Sequence, residues 1–79
     1  MTLAREIGGR IRSALYEKGM KQRDLAEKLD VPDNTVSRYV VGDRLVRIDM
    51  LVRIADALDV SVDWLLGRSN GNGNGKGDE

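Results

Sequence analysis

The sequence predicts an all-α fold, a compact bundle of five short helices. Three observations carry this. Apolar residues recur three and four apart along most of the chain, the spacing of one helix face. Gly, Pro and Asp fall at the ends of those periodic stretches, where helices stop. Phe is absent and the large aromatics are only Tyr16, Tyr39 and Trp64, so the core must be aliphatic, which suits packed helices.

The first helix is expected over about residues 3–18. Leu3, Ile7, Ile11 and Leu15 form a stripe with Ala14 beside it, and Arg5, Arg10 and Arg12 lie off it. Gly8 and Gly9 cost helix propensity in mid-helix, a cost that close packing of another element would explain. Gly19 ends the helix as a left-handed cap. A second helix runs from Lys21 or Gln22 to Leu29, with Leu25, Ala26 and Leu29 inward. Pro32 disfavours a helical Val31 and so breaks it. A third helix starts at Pro32 or Asp33 and runs to about Val40, anchored by Val36 and Tyr39 and ended by Gly42. Residues 43–47 read as a loop. A fourth helix spans about 48–58 on the stripe Leu51, Ile54, Ala55 and Leu58, with Asp49 at its positive end. After a turn at Asp59-Val60, Ser61 is placed to cap a last helix over 62–66, and Gly67 closes it. No internal repeat stands out. Residues 1–68 are read as one domain. The Asn/Gly alternation of 69–79 cannot bury apolar surface and reads as a flexible tail.

Composition narrows the function. With 79 residues there is room for one domain and little for a deep cavity. Neither Cys nor His occurs, which removes disulfides, Cys/His zinc sites and His- or Cys-based catalysis. No Gly-rich phosphate loop is present. No enzymatic activity, cofactor or metal is expected. No apolar run approaches membrane-span length, and no signal-peptide pattern begins the chain, so a cytoplasmic location is expected. Net charge is zero but unevenly spread. Residues 1–29 hold seven basic and four acidic groups, whereas residues 48–66 hold one basic and four acidic. A basic end and an acidic end suit a protein that turns only one face to phosphates.

The second and third helices, joined by a tight turn, have helix-turn-helix spacing. Ala26 is small where two such helices cross, and Val36, ten residues on, packs into the same junction. Leu25, Leu29 and Val31 close the core behind it. The third helix is then held outward with Asp33, Asn34, Ser37 and Arg38 on its outer face, and a helix so held fits the major groove of B-DNA.

The pattern Gln22-x-x-Leu25-Ala26-x-x-Leu29-x-Val31-x-x-x-Thr35-Val36-Ser37-Arg38, then Gly42, then Leu51-x-x-Ile54-Ala55-x-x-Leu58-x-Val60-Ser61-x-Asp63-Trp64-Leu65-Leu66, resembles the Cro/C1-type (XRE) helix-turn-helix family. That family includes lambdoid phage repressors, bacterial regulators and many antitoxins. The likeness spans nearly all of residues 3–67. It implies the lambda-repressor-like fold, sequence-specific binding of double-stranded DNA, and transcriptional regulation, usually repression. It also implies a weak homodimer on a near-palindromic operator. An antitoxin or other protein-interaction module on the same fold is the alternative. This chain departs from the family in having Asp30 where Gly is usual in the turn, Val40-Val41-Gly42 where Glu is common ahead of the Gly, and Val46 where Pro is common.

The resemblance gives Gln22 a phosphate contact and makes residues 44–47 a segment that follows the DNA backbone. The residues themselves supply the rest. Arg38 can pair with guanine O6/N7 or clamp a phosphate, and Asn34 can pair with adenine. Asp33 can accept from cytosine or cap the helix, the cap being preferred because a free carboxylate repels phosphate. Thr35 can reach the backbone, and Ser37 sits beside Arg38. Lys21, Arg23, Arg44 and Arg47 are expected at phosphates. Of the apolar residues around Gly42, a monomer buries about half. Leu45, Val46 and Trp64 are the expected dimer contacts.

Overall fold

The computed structural model describes residues 2–68; the tail expected at 69–79 lies outside them. Among the described residues there are five helices and no strand: α1 (Leu3–Lys18), α2 (Gln22–Leu29), α3 (Asp33–Val41), α4 (Ile48–Leu58) and α5 (Val62–Leu65). The caps explain these boundaries. Thr2 Oγ1 accepts from the N–H of Arg5 at the start of α1, and Ser61 Oγ accepts from Trp64 N–H at the start of α5. Each takes one of the backbone donors a helix start leaves free. The Lys21 N–H donates to the Asp24 carboxylate at 2.9 Å, fixing the start of α2. Pro32, not Asp33, occupies the cap position of α3, and no side chain caps it. Asp33 is instead the first residue of the helix, where its charge still meets the positive helix end.

α2 and α4 end alike. Asp30 and Asp59 both adopt the left-handed conformation, with φ of 61° and 59°. The next residue's N–H reaches back five positions in each case, from Val31 to Ala26 O and from Val60 to Ala55 O, both at 3.0 Å. The sequences Leu25-Ala26-x-x-Leu29-Asp30-Val31 and Ile54-Ala55-x-x-Leu58-Asp59-Val60 therefore encode the same stop twice, a local repeat that the broad sequence pattern concealed. Asp tolerates this backbone region better than most residues, so Asp30 preserves the turn where the related family has Gly.

Ile7, Ile11, Ala14 and Leu15 of α1, Leu25, Ala26 and Leu29 of α2, Val36 and Tyr39 of α3, and Leu51, Ile54, Ala55 and Leu58 of α4 are all buried in one core, with Leu65 of α5. Val46 joins them at 6% exposure. The loop before α4 folds inward there, so the surface role expected of Val46 is corrected: its side chain is core. Leu3, at the free end of the α1 stripe, stays half-exposed.

α1 crosses α3 at Gly8. A Cβ on Gly8 would collide with the carbonyl oxygens of Tyr39 and Val40, whereas one on Gly9 would meet nothing within 4 Å. Only the first glycine is thus required by packing. Arg53 fastens α4 to the helix-turn-helix unit: its Nη2 donates to Leu29 O at 2.7 Å, placing a cation at the negative end of α2. Replacing Arg53 by Ala is expected to lower stability by about 1 kcal/mol, the usual net worth of such a bond, read as a lower denaturation midpoint. An unchanged midpoint would show that this bond contributes nothing.

Candidate nucleic-acid interface

α2 and α3 pack through Leu25, Ala26, Leu29 and Val36, each 1% exposed or less. With Val36 and Tyr39 turned inward, the helical repeat carries Asn34, Ser37, Arg38 and Val41 to the opposite side of α3. Asn34 and Arg38 are exposed there, Ser37 is half-exposed and Val41 is 61% exposed. Thr35 lies at the flank of this face, half-buried, its N–H bonded to Pro32 O. Asp33 is exposed in the first turn. The outer face therefore presents an amide, a hydroxyl, a guanidinium and an isopropyl group. These can pair with adenine, with either kind of base-edge group, with guanine, and with the thymine methyl. Val41 was not among the expected contacts. Its signal was available: it follows Asn34 by seven residues and Ser37 by four, on one face.

Around this helix the exposed residues are mostly basic or polar. Lys21 is the cap of α2, Gln22 and Arg23 are its first two residues, and all three are exposed. Arg44 and Arg47 are exposed in the segment between α3 and α4. Among the described residues, Gln22, Arg23, Asn34, Ser37 and Arg44 take part in no side-chain hydrogen bond or ion pair within the protein. Their donors are open to a ligand. Arg47 is loosely paired with Asp49 at 3.8 Å and Arg38 with Asp43 at 3.9 Å. Exposed pairs of this kind add little to stability and are screened by salt.

Leu45 is 55% exposed and Trp64 half-buried. Ile48 and Val52, one turn apart on α4, are 70% and 45% exposed and were not among the expected dimer residues. Among the described residues no group of acidic side chains is arranged to hold a metal ion, and no helix is long and apolar enough to cross a membrane.

A helix-turn-helix family model matches residues 11–65, which runs from the middle of α1 to the end of α5. The chain belongs to the helix-turn-helix family. Among curated relatives, the phage phi80 repressor protein CI is 40% identical over 72 residues, covering 91% of this chain and 29% of the repressor. The HTH-type transcriptional regulator ImmR of Bacillus subtilis is 34% identical over 62 residues, covering 78% of this chain and 49% of ImmR. The chain thus spans half or less of the length of these two relatives. Among solved structures, the clp gene regulator ClgR of Corynebacterium glutamicum superposes with a TM-score of 0.81 at 29% identity, over 86% of this chain and 72% of ClgR. The restriction-modification controller protein C.AhdI of Aeromonas hydrophila gives 0.74 at 27% identity, over 78% of this chain and 94% of its own. In this chain α3 is the second helix of the helix-turn-helix unit.

Proposed function

We propose that this protein binds double-stranded DNA sequence-specifically as a transcriptional regulator, acting in the cytoplasm as a repressor. The observation that carries the proposal is the outer face of α3. Asn34, Ser37 and Arg38 stand outward on a helix whose other side is locked into the core by Val36 and Tyr39. Such a helix lies in the major groove, while Gln22, Arg23, Arg44 and Arg47 take phosphates on either side. The names of the relatives, repressor and regulator, support the same reading.

With zero net charge, long-range attraction to DNA is weak, so a single copy would bind poorly. A twofold dimer supplies two recognition helices, roughly 34 Å apart, to a near-palindromic site. The exposed apolar residues Leu45 and Ile48, with Trp64, are the surface proposed for that contact.

Selection of bound sequences from a random DNA pool, with the mass of the resulting complex, tests both parts. The expected result is a near-palindromic consensus carrying two copies of the chain. Recovery of no consensus would overturn the DNA reading. A consensus bound by one copy would overturn only the dimer.

A further inference from the structure

The strongest feature not absorbed by this reading is a carboxylate beside the recognition helix. Asp43 follows Gly42, the cap of α3. Its main chain is fixed: Gly42 takes the left-handed conformation with φ of 82°, and the Asp43 N–H donates to Arg38 O at 3.0 Å. Its side chain then comes back to the same residue, with Oδ2 at 3.9 Å from Arg38 Nη1. Backbone and side chain both tie Asp43 to Arg38.

This pair does little for the fold. Both side chains are more than half exposed, at 52% and 66%, and exposed pairs contribute little to stability. Its consequences fall on what Arg38 can do. A guanidinium has five donors in a rigid fork. Asp43 faces only one end of that fork, so the remaining edge can still donate to guanine O6 and N7. A carboxylate at this position also repels phosphate, which penalises any pose in which Arg38 turns to the DNA backbone. We infer that Asp43 is a specificity-determining positioning residue: it braces the Arg38 guanidinium for base reading and disfavours its capture by phosphate. The inference rests on the proposed DNA-binding function and on α3 as the reading helix.

The test measures affinity for a duplex selected from the random pool and for a random-sequence duplex of the same length, at two salt concentrations. Asp43→Asn, Arg38→Ala and the double variant are compared with the unaltered chain, and thermal melts check that each is folded. Asp43→Asn is expected to bind random-sequence DNA several-fold more tightly while losing affinity for the selected duplex. The ratio between the two should fall about tenfold, the low end of what one bidentate base contact supplies. In the Arg38→Ala background the same change should raise both affinities equally, because only the loss of a repelling charge remains. An equal rise on both duplexes in both backgrounds would overturn the inference and leave Asp43 as simple repulsion. Absence of any sequence preference in the unaltered chain would instead overturn the DNA-binding reading itself.

Discussion

Replacing Gly8 by Ala is expected to destabilise the protein by about 2 kcal/mol, the middle of the range for overpacking a tight site. The added methyl group would meet the carbonyl oxygens of Tyr39 and Val40. These are backbone atoms near the end of α3 and cannot swing aside as a side chain could, so α1 and α3 must separate. A better helix former at this position returns up to ~1 kcal/mol, which the collision outweighs. For a domain of this size, 2 kcal/mol corresponds to a drop in Tm of roughly 10 °C. The neighbouring Gly9→Ala change is the internal control. It adds a methyl group into open space and should raise stability by ~0.5–1 kcal/mol through helix propensity alone. Thermal melts of the two variants should therefore move in opposite directions. Equal shifts would show that the α1–α3 approach at Gly8 is not the constraint. Because α3 is the helix that separates, Gly8→Ala should also weaken DNA binding beyond its cost in folded population.

The two glycines show which parts of this protein can be read from sequence. Both are visible as mid-helix anomalies, and the sequence pattern rightly suggests a close neighbour. It cannot say which of the two meets one, since that depends on where α3 lies against α1. Helix boundaries were legible because they rest on local chemistry: Gly19 and Gly42 take left-handed caps, Ser61 caps α5, and Pro32 interrupts the chain. The α4 limits match their expected residues for the same reason. Asp33 was misplaced by one position, because a Pro and an Asp in succession both suit a helix start. Which apolar residue around Gly42 enters the core, and what Arg53 holds, were not legible. The burial of a loop valine and the reach of an α4 arginine to Leu29 O are tertiary outcomes with no local signature. The outward placement of Asn34 and Arg38 on α3 was legible by period, whereas in the sequence Val41 reads only as one of the apolar residues around Gly42.

Arg38→Ala is expected to cost about 1–3 kcal/mol of binding to a selected duplex, or roughly five- to 150-fold in Kd, with little effect on binding to random sequence. Stability should change by less than ~0.5 kcal/mol, since the side chain is half exposed and its partner Asp43 lies in solvent as well. The salt dependence decides which contact Arg38 makes. A base contact leaves the slope of log affinity against log salt concentration nearly unchanged. A phosphate contact would lower that slope by about one and weaken all sequences alike. Arg44→Ala is the matching case from the neighbouring segment. It should lower the slope and reduce affinity for selected and random duplexes by the same factor. If Arg38→Ala instead behaves like Arg44→Ala, Arg38 is a backbone clamp, and sequence reading must rest on Asn34, Ser37 and Val41 of the same helix face.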